Sequence, residues 1–91
     1  MQVETRETKI KRLRMRSMRR GIKEMDLILS AFADAHLADM PDAGLDLYDQ
    51  LLAEYDHDLY AWIGGQAAVP PEYLDLVTWI ARDTTGVVKP A

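Results

Sequence analysis

Apolar side chains recur at intervals of three and four residues along most of this chain, and this spacing is the feature that most restricts its fold. It is clearest in the second quarter of the chain, at Ile22, Met25, Ile28, Leu29, Phe32 and Ala33. Residues at these intervals lie on one face of an α-helix. No stretch shows sustained period-two alternation or a tight hairpin signal. The pattern therefore predicts an all-α fold.

Helix-breaking residues divide this pattern into a single small bundle of about five short helices joined by short loops. We expect them at about residues 5–18, 22–35, 40–55, 57–63 and 70–84. Gly21 either ends the first helix or caps the second. Asp39 and Asp56 are expected to cap the third and fourth helices. The buried face of the third helix is expected to reach Tyr55, and that of the fifth to begin at Leu74.

The chain is long enough for one compact core. Its 91 residues are 48% hydrophobic, so we expect a single helical domain over residues 1–91, with mobile tails at about residues 1–5 and 85–91. The lack of cysteine excludes disulfides, thiolate catalysis and cysteine-based zinc sites. No apolar run approaches the roughly 18 residues that span a bilayer, so no membrane insertion is expected, and no signal peptide is visible.

Charge is distributed very unevenly. Residues 1–23 hold nine of the eleven Lys and Arg residues, whereas residues 24–91 hold thirteen of the fifteen acidic residues. A basic segment of this kind suggests an alternative function, a nucleic-acid-binding regulator that neutralises phosphates. Against it, the basic residues surround the predicted first helix rather than lining one stripe, and the acidic remainder would repel nucleic acid. A membrane-surface helix is disfavoured because its apolar face would be thin.

Signatures of catalysis are missing. The chain has no phosphate-binding glycine loop and no His-Glu-x-x-His motif, and its two histidines, His36 and His57, are far apart. Acidic residues cluster between Asp39 and Asp49 without the spacing of a calcium loop, and several would start a helix, where carboxylates are favoured. We therefore expect neither an enzyme nor a cofactor or metal site of its own.

One short segment, Arg20-Gly21-Ile22-Lys23-Glu24, can be interpreted in two ways. Gly21 can be a simple helix junction with Glu24 near the start of the next helix. Alternatively, Gly21 lets a partner's backbone approach closely, Arg20 offers a forked donor to a carboxylate or phosphate, and Glu24 accepts hydrogen bonds from the same helical face. By itself the motif is weak evidence.

Two stretches in register carry a resemblance. The segment from Arg16 to Asp26, with Arg-Gly-x-x-Glu at its centre, closely resembles the signature of the succinate dehydrogenase FAD assembly factors, the SdhE family. The segment from Asp56 to Ile63, an acidic start followed by apolar-x-Trp, resembles that family's second landmark. The likeness spans roughly residues 10–82. Met15 stands where an aromatic residue is frequent, and Met25 where Leu is usual.

The resemblance implies a function as well as a fold. Members are small five-helix proteins of the bacterial cytoplasm or the mitochondrial matrix. They bind the flavoprotein subunit of succinate dehydrogenase, and in bacteria also of fumarate reductase, and promote covalent attachment of FAD to a histidine of that subunit. The FAD therefore belongs to the partner. The expected partner-binding residues are Arg16, Arg20, Gly21, Glu24, Asp26 and Trp62, although a core position is favoured for Trp62 over a partner contact and one role does not exclude the other.

Overall fold

The computed structural model describes residues 4–84, which form five α-helices and no strand. The helices are α1 (Arg6–Arg16), α2 (Lys23–His36), α3 (Asp42–Leu52), α4 (Asp56–Ile63) and α5 (Leu74–Thr84), and single 3₁₀ turns cover Leu37–Asp39 and Pro71–Tyr73. The all-α bundle of five short helices is thus confirmed. Within this part of the chain no helix has the length and apolar content needed to span a bilayer.

Helix α2 lies at the centre of the bundle and packs against α1, α4 and α5. All of its predicted core residues except Ile22, which precedes the helix and is half-buried, are buried. The other helices contribute side chains with no exposed surface, among them Leu13, Leu45, Tyr48, Leu51, Leu59 and Ile80. Full burial of one aliphatic side chain of this size stabilises a fold by about 1.5–3 kcal/mol.

The start of α1 is tied down. The Thr5 hydroxyl accepts a hydrogen bond from the Thr8 amide at 3.1 Å and caps the helix. Glu4 receives two hydrogen bonds from the Arg12 guanidinium. Glu4 and Thr5 thus make side-chain hydrogen bonds, while residues 1–3 and 85–91 lie outside the described residues, so the mobility of the tails expected at about 1–5 and 85–91 stays a prediction.

Three predicted helix ends differ from the structure by one or two residues. Helix α1 ends at Arg16, and neither helix end falls at Gly21, because Ser17 and Ile22 take the cap positions. Asp39 lies in a 3₁₀ turn rather than capping α3. Asp56 is the first residue of α4 rather than its cap, which is Tyr55. A 3₁₀ turn precedes α3 at Asp39, and the Asp56 carboxylate binds Arg20 and the Gly21 amide instead of capping its own helix.

Two residues expected in the core are exposed. Tyr55 is 79% exposed because α3 ends at Leu52 and the chain is already extended at Tyr55. Leu74 is 52% exposed because the preceding 3₁₀ turn places Tyr73 in the core instead. Both errors arise from carrying a helical pattern across a break in the helix.

Candidate docking site

A buried polar pair, Ser17 and Tyr48, anchors the start of the loop between α1 and α2, residues 17–22. Ser17 has no exposed surface, and its hydroxyl donates to the Leu13 carbonyl at 2.8 Å. The same hydroxyl lies 2.6 Å from the Tyr48 hydroxyl of α3. Burial raises the pKa of Tyr48 to about 12. The end of α1 is thereby fixed to the core at the point where the loop begins.

Arg19 adopts an unusual backbone conformation within this loop. Its φ angle is 54°, in the left-handed region that side chains rarely occupy. The Asp26 carboxylate of α2 accepts a hydrogen bond from the Arg19 backbone amide at 2.6 Å. Asp26, one of the expected partner-binding residues, is thus already bonded within the chain, where it holds the loop against the first turn of α2.

Arg20 is also engaged internally. Its Nε donates to Asp56 Oδ1 at 2.8 Å, and its two terminal nitrogens donate to the carbonyls of Arg16 and Leu52 at 2.9 and 3.0 Å. The Arg20 and Asp56 side chains are only 12% and 17% exposed. The guanidinium therefore joins the end of α1, the end of α3 and the start of α4.

Gly21 faces solvent beside this ion pair. Its amide donates to Asp56 Oδ2 at 2.6 Å, and its φ angle lies outside the left-handed region. The backbone conformation therefore does not require glycine here. A Cβ on residue 21 would lie 3.0 Å from Asp56 Oδ2, closer than side chains ordinarily pack. The lack of a side chain leaves room for the carboxylate on one side and an open approach from solvent on the other.

Glu24 lies on the first turn of α2 and is exposed. Within residues 4–84 its carboxylate makes no hydrogen bond or ion pair. The expectation that Arg20 and Glu24 share one helical face is wrong, because Arg20 lies in the loop and α2 begins only at Lys23. Two large apolar side chains nearby are also exposed: Met18 in the loop and Leu27 three residues beyond Glu24.

The basic residues of α1 face acidic residues of α3. Arg6 pairs with Asp42, Lys9 with Asp46, and both Arg12 and Arg16 with Asp49. The Arg12 guanidinium, hydrogen-bonded to Asp49, holds the pKa of that carboxyl below its usual value, and it does the same for Glu4. These pairs use much of the basic charge that a nucleic-acid interface would need, and Arg16 is among the residues so occupied.

Trp62 lies apart from the loop. It is half-buried near the end of α4, packs against the core and has its ring centroid 6.0 Å from that of Tyr73. It follows Asp56 by six residues, or roughly 9 Å along the helix. The structure thus gathers Arg16, Arg20, Gly21 and Asp26 around one loop, places Glu24 beside it, and sets Trp62 at the other end of α4.

Sequence reasoning missed the residue that organises the loop. Asp56 appeared only as a helix start, although the resemblance had singled out the segment that it opens. A contact between residues 36 positions apart gives no local pattern. Its one visible sign was the presence of an acidic residue at the head of the second landmark.

Clefts between the helices are of modest size. Three that described residues line have volumes of about 160, 170 and 290 Å³. Pockets for small molecules and cofactors usually measure roughly 300–1,000 Å³. No group of three or more potential metal-ligating side chains occurs within residues 4–84.

Comparison with known proteins identifies the family. A family model described as flavinator of succinate dehydrogenase matches residues 11–83. The chain belongs to this family. The match includes the whole α1–α2 loop and the Asp56 segment, so both landmarks lie inside it.

Three relatives of this chain are named succinate dehydrogenase assembly factor 2, mitochondrial. The relative from Meyerozyma guilliermondii is 53% identical over 68 residues, covering 75% of this chain and 50% of its own length. That from Mycosarcoma maydis is 44% identical over 70 residues, covering 77% and 29%. That from Schizosaccharomyces pombe is 41% identical over 70 residues, covering 77% and 50%. The chain spans half or less of each of these three relatives.

Proposed function

We propose that this chain docks on the immature flavoprotein subunit of succinate dehydrogenase and promotes covalent attachment of FAD to a histidine of that subunit. Membership of the flavinator family supports the assembly role. None of the three relatives described above is named for fumarate reductase, so the proposed partner is the succinate dehydrogenase subunit. The proposed compartment is where that subunit matures, the mitochondrial matrix of a eukaryote or the cytoplasm of a bacterium.

The proposed docking surface consists of Met18, Gly21, Glu24 and Leu27. One observation carries the proposal. Gly21 in the α1–α2 loop and Glu24 just after it are exposed, and hydrogen bonds within the chain already fix the conformation of this loop. A preorganised surface loses little conformational entropy on binding. Met18 and Leu27 add exposed apolar area, and Glu24 adds an acceptor without an internal donor. Arg16, Arg20 and Asp26 act in this proposal by supporting the surface rather than by direct contact.

The chemistry in this proposal belongs to the partner. Flavin supplies the reactive carbon, and the flavoprotein supplies the histidine. The assembly factor binds the subunit conformation in which these two groups are aligned, and so raises the population of that conformation.

A reconstitution with purified proteins tests the proposal. The apo-subunit and FAD are incubated with and without this chain, and covalent flavin is measured by its fluorescence in a denaturing gel. We expect the wild-type chain to raise the yield and Gly21→Arg to reduce it to the level seen without the chain. Gly21 is exposed with a φ angle outside the left-handed region, so the variant is expected to keep its helical fold. The added Cβ crowds Asp56 Oδ2, so a loss of about 1 kcal/mol is expected, which lowers Tm by about 4–8 °C in a domain of this size.

The matched control is Ala68→Arg, an exposed loop position beyond the far end of α4. It adds the same charged side chain away from the docking surface and is expected to support flavinylation as the wild type does. Equal covalent flavin with and without the wild-type chain would overturn the proposal.

A further inference from the structure

Asp56, the first residue of α4, has no role in the proposed function, yet it makes two hydrogen bonds across the fold. Both carboxylate oxygens are committed to the α1–α2 loop. Oδ1 accepts from Arg20 Nε at 2.8 Å, and Oδ2 accepts from the Gly21 amide at 2.6 Å. One side chain of α4 thus fixes two consecutive residues of the loop, one through its side chain and the other through its backbone.

We propose that Asp56 is a positioning residue for docking: it holds Gly21 in its exposed position through the Gly21 amide, and it fixes the neighbouring Arg20 through the guanidinium. This inference rests on the proposed function. It unites the two landmarks of the sequence, because the first residue of the second landmark fixes the glycine of the first. It also gives Arg20 a role that needs no contact with the partner.

Burial and hydrogen bonding favour this role over direct contact. The Arg20 and Asp56 side chains are 12% and 17% exposed, so a partner has little access to either. The terminal guanidinium nitrogens already donate to the Arg16 and Leu52 carbonyls. A partner carboxylate would have to break bonds that the Arg20 side chain has already made.

The consequence of losing Asp56 follows from the same contacts. Removing its carboxylate deprives the Gly21 amide of its acceptor and leaves the Arg20 guanidinium without its counter-charge. A partly buried cation that has lost its partner is destabilised and moves toward water. Gly21 would then be free to leave the conformation in which it faces solvent beside α4.

Helix α4 contains a matched control for this side chain. Asp58 also lies in the first turn of α4, but it is exposed and makes no hydrogen bond or ion pair within residues 4–84. Asp56→Ala and Asp58→Ala remove the same charge from the same helix start. Any general effect on the helix dipole is therefore shared by both variants.

The test measures two quantities on each full-length variant. Amide hydrogen exchange at Gly21, followed by NMR, reports how firmly the loop is held in the free protein. Titration calorimetry with the purified apo-flavoprotein subunit reports docking. For Asp56→Ala we expect Gly21 to exchange at least about tenfold faster and the Kd to rise at least about tenfold. Asp58→Ala should leave both values within about twofold of wild type.

A double-variant cycle separates positioning from a second, independent contact. If Arg20 and Asp56 act as one unit, Arg20→Ala combined with Asp56→Ala binds no more weakly than Asp56→Ala alone. If Asp56→Ala is unfolded by circular dichroism, Asp56→Asn replaces it, with the same expected order of effects. This variant keeps the side-chain size and removes the charge.

The outcomes distinguish the two levels of the argument. Wild-type affinity in a folded Asp56→Ala variant, or unchanged Gly21 exchange, would overturn the positioning role and leave the proposed function standing. Fully additive losses in the double variant would also overturn it. Absence of binding by the wild-type chain would overturn the proposed function together with this inference.

Discussion

Glu24 is an exposed residue whose carboxylate has no partner among the described residues and is therefore available to a binding partner. Its carboxylate has no hydrogen bond or ion pair within residues 4–84, whereas its neighbours Arg20 and Asp26 are held internally. An exposed helix-start carboxylate contributes little to stability, about 0.3–1 kcal/mol. The same group can contribute more once a partner supplies a donor and excludes water.

We expect Glu24→Gln to weaken binding of the apo-flavoprotein subunit at least about fivefold without a measurable change in fold. The control is Glu7→Gln. Glu7 is also the second residue of its helix, is exposed and makes no ion pair within the described residues. Calorimetric titrations should therefore show a loss for Glu24→Gln alone. Equal affinities for both variants would remove Glu24 from the docking surface.

At the scale of elements, one buried polar pair joins three helices. Ser17 follows α1, Tyr48 belongs to α3, and the Tyr48 hydroxyl lies 3.5 Å from the Leu29 carbonyl of α2. Burial disfavours the tyrosinate, which raises the pKa of Tyr48 to about 12 from the usual value of 10.0. The neutral hydroxyl is therefore the form that holds these helices together.

Alkaline pH should consequently destabilise the fold. The stabilisation from the raised pKa is fully present below about pH 10, where tyrosine ionises in the unfolded chain, and is lost as pH rises toward 12. We expect the wild type to lose about 2–3 kcal/mol of unfolding free energy across this range through Tyr48. Tyr48→Phe, less stable at pH 8 by about 1 kcal/mol, should lack that component.

Urea unfolding at pH 8 to 12 measures these free energies. Tyr60→Phe is the control, because Tyr60 is exposed and its hydroxyl makes no hydrogen bond within the described residues. Its profile should run parallel to that of the wild type. A parallel profile for Tyr48→Phe as well would show that the buried hydroxyl does not govern alkaline unfolding.

The elements themselves follow largely from local signals in the sequence. The spacing of Met25, Leu29 and Phe32 predicts α2 and its buried face correctly, because helical periodicity reports which side must leave water. Helix ends were less predictable, since they depend on contacts made elsewhere. Ser17 ends α1 with a hydroxyl that reaches Tyr48, and no local pattern announces that partner.

The candidate site is also only partly predictable from the sequence. The sequence alone locates the motif at residues 20–24, but it does not show what each of these residues does. Arg20 was expected to face outward, and only the folded chain brings Asp56 within 2.8 Å of it. The sequence pattern also fails to predict the exposure of Tyr55. The apolar spacing continues to Tyr55, but helix α3 ends at Leu52.

At the scale of the whole molecule, the basic and acidic parts of the sequence pack against each other and pair their charges. Helix α1 lies against α3 with ion pairs along the contact, so the basic segment is largely matched by this chain's own carboxylates. Exposed pairs of this kind contribute only about 0–1 kcal/mol each, but they use the charge that an interface with nucleic acid would need. The proposed docking surface, Met18, Gly21, Glu24 and Leu27, lies outside this network of ion pairs.

Cross-saturation NMR tests most directly whether that surface is where the partner lies. The chain carries methyl-labelled Met and Leu, and the unlabelled apo-flavoprotein subunit is irradiated in the complex. Leu27 in α2 and Leu74 in α5 are 50% and 52% exposed, so the two side chains are equally accessible to a partner. The account predicts strong transfer to Met18 and Leu27 and little to Leu74. Transfer to Leu74 without transfer to Leu27 would contradict it.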